Sequence, residues 1–149
     1  MARWRAEYDE WLGTADTVWD REMAREKAGT CWDARSTADE NECLGRELDI
    51  TAANLKAYVD AFRASFRLLF PEQRAPNALS YEKTADEFLK EFDAVEATWQ
   101  ARKEVMCKAA YDTMAGGTIA PSVAARCDLQ MMRDHMREVG GILGQFFHM

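Results

Sequence analysis

Leu48, Ala52, Leu55, Val59, Phe62, Phe66 and Leu69 recur at alternating steps of four and three residues. That spacing keeps them on one side of an α-helix and predicts a long amphipathic helix. In "STADE", Thr37 stands three residues before Glu40, the spacing of a capping box, and marks the start. Pro71 marks the end. Gly45 inside the helix costs about 1 kcal/mol relative to alanine, so another segment is expected to approach closely there. A second stripe holds Phe88, Phe92, Val95, Trp99, Met106 and Ala109, with Ser80 as N-cap and Gly116-Gly117 as stop. Trp99, in mid-stripe, is expected to be buried against the first of these helices. A third begins near Pro121 and carries Leu129, Met132, Met136, Val139 and Leu143. Gly140, Gly141 and Gly144 predict fraying before the Phe146-Phe147 tail.

Residues 1–30 are helical in a less regular way. Trp4, Tyr8 and Trp11 share a face, and Gly13 interrupts it. "TADTVWDREMAREKAG" reads as a second short helix, capped by Thr14 or Asp16 and stopped by Gly29. No run alternates with period two, so no sheet is expected. The link 71–80 is the one Pro-bearing loop of any length, and the chain has no repeat. The fold class is therefore all-α: a small helical bundle of antiparallel long helices around a shared core. Residues 1–30 form an N-terminal helical extension to a domain over 31–149, the whole making one compact unit.

The four cysteines bear on compartment. Cys107 and Cys127 bracket the Gly-Gly turn at matching heights on two adjacent helices, each about 10 Å along the axis from it at ~1.5 Å per residue. Facing positions on touching helices fall within disulfide reach. Cys31 lies before the Thr37 cap and Cys43 nearly two turns beyond it. Three connectivities are possible; geometry favours local pairing, 31–43 and 107–127, which staples the bundle twice. Zinc would prefer close pairs, unlike these gaps of 12, 64 and 20 residues. A nucleophilic cysteine would need a base nearby, and the histidines are His135 and His148. Unpaired buried thiols in a cytosolic protein are the plainer alternative.

These residues also resemble a family. "CWDARSTADENEC", with Glu40 shortly before its second Cys, and the "LKAY" that follows are similar to the first half of the lysozyme inhibitor LprI-like domain. Trp99, Lys103 and Cys107 fall at steps of four, like that family's Trp, basic residue and Cys, and a Gly-Gly-Thr and a fourth Cys come next. The resemblance covers roughly 31–139. It implies a small, helical, disulfide-bearing protein of the bacterial envelope, and some members inhibit lysozyme. The sequence departs from the pattern at Ala52, where an Asp is usual, and at Met132 and His135, where Thr and Arg are.

Charge and motifs narrow the function. The net charge of −7 disfavours nucleic acid, which needs a basic face. No stretch approaches the length of a membrane span. The start, "MARWRAEYDEWLGTAD", has no apolar leader core. The chain is thus either cytoplasmic or a mature chain whose signal peptide has been replaced by a start Met. The cysteines favour the second, hence a periplasmic or secreted location. A glycosidase needs two carboxyls across a cleft. Glu87 and Glu91, or Lys83 and Glu87, are instead ordinary neighbours on a solvated helix face. There is no phosphate loop, G-x-S-x-G or H-E-x-x-H, "REVGGILG" follows a helix instead of a strand, and no cofactor or metal is implied. The reading is a non-enzyme.

Segment 33–49 holds six acids (Asp33, Asp39, Glu40, Glu42, Glu47, Asp49) against two arginines, a net of −4. Lysozymes are typically basic, so such a face would speed their association. Asp33, Asp39, Glu40 and Glu42, with the Gly116-Gly117-Thr118 turn, are the candidate partner-binding residues. The leading expectation is an inhibitor of a peptidoglycan-cleaving hydrolase, either a lysozyme or a rival bacterium's toxin, in which case it is an immunity protein. The alternative is a non-inhibitory helical adaptor or structural subunit of an envelope assembly, favoured by the aromatic first segment with Trp4, Trp11 and Trp19.

Overall fold

The computed structural model describes residues 2–77 and 82–143. Four helices, α1 (Ala2–Ala28), α2 (Thr37–Leu69), α3 (Ala85–Thr113) and α4 (Ala120–Glu138), are followed by a short π-helical turn, Val139–Leu143. No strand occurs among the described residues. The long helix α2 is central and packs on α1, α3 and α4, while α4 also covers α3. Consecutive helices run antiparallel, as paired contacts show: Glu22 meets Thr51 and Arg25 meets Glu47; Arg67 meets Asp86 and Arg63 meets Asp93; and Cys107 meets Cys127, Lys103 meets Asp128 and Trp99 meets His135.

The core follows from the stripes, with instructive exceptions. Leu55, Phe62 and Phe66 of α2 and Leu129, Met132, Met136 and Val139 of the last helix are buried as the spacing predicts. Edge-to-face contacts link Tyr58 to Phe62 and Phe66 to Phe88 and Phe92, an arrangement that aromatic quadrupoles favour. Helix α2 buries more than its apolar stripe: Thr51, Asn54 and Ser65 are inside too, because neighbours cover it on several sides.

The α3 stripe is misphased. Val95 and Met106 are exposed, whereas Glu96 and Lys103 lie on the partly buried side with Leu89, Phe92, Trp99 and Cys107. Polar residues on that side have partners across the interface, so an apolar-only count chose the wrong positions.

The first segment is one helix and not two. Tyr8, Trp11, Ala15, Val18 and Glu22 keep steps of three and four straight through Gly13. Thr14 and Thr17 do not cap: their hydroxyls donate back to the carbonyls of Glu10 and Gly13.

Caps also differ from expectation. Ser36, not Thr37, caps α2, accepting from the Asp39 amide at 3.1 Å, and Glu40 takes no part. Ser80 lies outside the described residues; Thr84 caps α3 in a reciprocal box with Glu87. A Cβ on Gly45 would meet no other segment within 4 Å, so no close approach explains it. Gly140 and Gly141 do not fray the last helix, which continues as the π-helical turn. A Cβ on Gly140 would lie 2.3 Å from the Tyr58 hydroxyl, so glycine is there for close packing. Gly144 and the Phe146-Phe147 tail lie outside the described residues.

Candidate functional site

Both disulfides sit at one end of the bundle, and all four cysteines are paired as local geometry favours: Cys31–Cys43 with Cα atoms 5.9 Å apart, Cys107–Cys127 with 5.5 Å. Free thiols and cysteine-bound zinc are thereby excluded. Cys31 joins Leu44 and Leu129 in a small second core that ties the α1–α2 loop to α4. Around it, Ser122 donates to Asn41 (2.6 Å), Arg126 donates to the Thr30 carbonyl (3.1 Å), and Arg126 pairs with Glu40 (3.5 Å).

The α1–α2 loop, the start of α2 and the first turns of α4 are therefore one structure. The 114–119 turn that precedes α4 belongs to the same end and is exposed throughout. The predicted partner residues Asp33, Asp39, Glu40, Glu42, Gly116, Gly117 and Thr118 thus share one pole. They are not equivalent. Glu40 is committed to Arg126 and Glu42 to Arg46, whereas Asp33 and Asp39 are exposed and show no ion pair among the described residues.

Behind the pole lies a buried polar junction. Glu22 is completely buried and accepts from Thr51 (2.9 Å), Asn54 (2.9 Å), Arg133 (2.8 Å) and Arg25 (3.2 Å). Burial alone would raise its pKa, but the hydrogen bonds from Asn54, Arg133 and Thr51 outweigh it and hold the carboxyl below its usual range. Arg133 also donates to the Thr30 hydroxyl (3.2 Å), and Arg25 bridges to Glu47. The acid is thus ionised to join α1, α2 and α4. It is a structural group, too deep to meet a partner.

A second seam joins α3 to α4. Trp99 stacks on the buried His135 ring, centroids 4.2 Å apart and nearly parallel. His135 Nε2 lies 2.7 Å from Glu96. Lys103 reaches Asp128 (3.6 Å) and stands 5.8 Å over the Trp99 ring, a cation–π distance. Trp99 is half-buried and not enclosed against α2, as its position in the stripe had led one to expect. One of its sides faces a groove of about 390 Å³ along α3 and α4, lined by Thr98, Arg102, His135 and Glu138. Trp99, Lys103 and Cys107 therefore form one row on α3, each pinned to α4 or its disulfide.

That row and the Cys31–Cys43 loop are the residues that carry the family pattern. The family described as lysozyme inhibitor LprI matches residues 31–139. The chain belongs to the LprI family. No curated protein and no solved structure matches it. LprI is a family of inhibitors and not of enzymes. The chain's disulfides suit an oxidising compartment, and among the described residues no helix is long and apolar enough to cross a membrane.

In this LprI member the pattern residues mostly hold the fold. Leu55 and Tyr58 of "LKAY" are core, and burial pushes the Tyr58 hydroxyl up to about 12. Glu40, Trp99 and Lys103 bind α4 as described above. His135 stacks on Trp99. Sequence reasoning passed over Glu22, Arg133 and Trp32. Glu22 had a readable signal, an acid at the next step of the Tyr8–Val18 stripe. Trp32 had none, because a tryptophan in a loop carries no periodicity; it is 77% exposed, the most exposed of the large apolar residues at this pole.

Proposed function

We propose that this LprI member binds and inhibits a basic peptidoglycan-cleaving hydrolase, a lysozyme or a lysozyme-like toxin, in the periplasm or outside the cell. Family membership supplies the activity class. The observation that carries the finer reading is the disulfide-held pole, where Asp33 and Asp39 are exposed and show no ion pair among the described residues. Complementary charge accelerates encounter with a cationic enzyme, and a surface held by two disulfides loses little freedom on binding. The domain boundary is part of this proposal: the inhibitory surface belongs to the domain over residues 31–149, and α1, in the extension over 1–30, serves as a buttress through Glu22.

The rival reading, an adaptor or structural subunit, drew on the aromatic residues of the first helix. Trp11 and Trp19 pack against the main core, which leaves that helix less to offer a partner. A cell-wall turbidity assay with a panel of lysozymes, muramidases and amidases, backed by calorimetry, tests the choice. Stoichiometric inhibition that weakens on reduction and associates more slowly at high salt is expected. Binding weaker than about 10 μM, under about 7 kcal/mol, across the panel favours the adaptor. Clearing of the walls by this protein alone would contradict a non-enzyme.

A further inference from the structure

We infer that Trp32 is the anchor of the inhibitory surface and enters the sugar-binding cleft of the cationic hydrolase; this rests on the function proposed above. The Trp32 indole is 77% in solvent, the most exposed large apolar side chain at this pole, and the backbone of the loop that carries it is fixed. Gly29 has φ +89° and Cys31 has φ +57°, both in the left-handed region, so the chain turns sharply on either side of Thr30. Only glycine fits at 29: a Cβ there would lie 2.7 Å from Trp32 Cδ1, so the indole crosses the Gly29 backbone. The Cys31–Cys43 bond, the Arg126 bond to the Thr30 carbonyl, the Arg133 bond to its hydroxyl and the Ala34 amide bond to the Cys31 carbonyl fix the rest. A non-glycine residue in the left-handed region persists only where its surroundings over-determine it.

The shape and charge of the surroundings select the occupant. A single protruding aromatic side chain fits a concave cleft better than a flat face. Its apolar ring faces and polar N–H edge suit a groove built for sugar rings. Tryptophan is also among the commonest interface hot spots, since it covers a large area with only two side-chain torsions. Asp33 follows it directly and Asp39 lies just inside α2, giving the rim the sign that a cationic enzyme attracts. Met114 and Ile119, on the turn before α4, are also exposed at this pole. A second copy of this chain is a poorer occupant, because a two-fold contact would set these acids against their equivalents.

The test compares wild type, Trp32→Ala and Trp32→Phe, with Ile142→Ala as an exposed control, against a cationic animal lysozyme and every other panel hydrolase that the wild type inhibits. Trp32→Ala should weaken inhibition about thirtyfold, the scale of an interface hot spot. Trp32→Phe should recover part of that, and Ile142→Ala should match wild type. Melting temperature and disulfide mapping should be unchanged throughout, since the removed side chain is exposed. N-acetylglucosamine oligomers should compete with wild type for the enzyme. Inhibition by Trp32→Ala within twofold of wild type overturns the anchor and leaves the inhibitor reading intact. Inhibition of nothing by wild type overturns both. Sedimentation showing a dimer that Trp32→Ala abolishes, with inhibition unchanged, assigns Trp32 to self-association and also overturns the anchor.

Discussion

Replacing Glu22 by leucine removes the one acid that four donors share. Thr51, Asn54, Arg133 and Arg25 lose a partner at once. Arg133 suffers most, because its side chain is almost fully buried and its Nη2 already lacks a hydrogen bond. Breaking a buried ion pair from one side costs about 3–5 kcal/mol, since the remaining charge stays desolvated. That is a large part of the roughly 5–15 kcal/mol that holds a small domain together. Arg133→Met alone leaves Glu22 with its neutral donors and Arg25 and should cost somewhat less. The double variant should cost less than the sum of the two by at least about 2 kcal/mol, because neither charge is then stranded.

Urea unfolding followed by far-ultraviolet circular dichroism gives each value from the midpoint at constant slope. The pH dependence is a second check. The Glu22 pKa is lowered on folding from an ordinary value of 4.5, so its contribution is complete above that value and lost as pH falls through the lower, folded one. The gap between wild type and Glu22→Leu should therefore narrow in acid. A single-variant cost below 1 kcal/mol, or strict additivity in the double, would refute the view that this junction ties α1 to the bundle.

Three further outcomes follow from the packing. Gly140→Ala places a methyl carbon against the buried Tyr58 hydroxyl and should destabilise by about 1–3 kcal/mol, whereas Gly45→Ala, in open space, should stabilise by up to about 1 kcal/mol; equal effects in thermal melts would contradict the described contact. Spectrophotometric titration should find one tyrosine, Tyr58, ionising near pH 12. Because burial favours its neutral form, that stability is present below the ordinary value of 10 and lost as pH rises through 12; Tyr58→Phe should remove the late step. Cys107→Ser with Cys127→Ser opens a bond 20 residues apart in sequence and should cost about 3 kcal/mol by the loop-entropy estimate, with a loss under 1 kcal/mol indicating that the α3–α4 hairpin needs no staple.

The sequence by itself determined the all-α class, the existence of α2, α3 and α4, the local cysteine pairing and the family. Each rests on short-range information: a 3.6-residue period, a glycine or proline stop, two cysteines about one turn, a row at steps of four. Its errors about which faces lie inward came from treating polarity as exposure. Glu22, Glu96, Lys103 and Arg133 lie on inward faces because a partner on another helix offsets their desolvation. Such a partner is at least 25 residues away in every case, so no local window contains it. The same holds for Gly13, read as a break although the stripe continues through it to Glu22.

The candidate site was legible only in part. The acids and the glycine turn could be listed, but their meeting at one pole depends on α4 lying across the start of α2. That packing also decided which acids are already paired. Trp32 was beyond any pattern, since its exposure is set by the left-handed turn at Gly29 and Cys31 and by the disulfide that holds it, features of the backbone path that residue spacing does not encode.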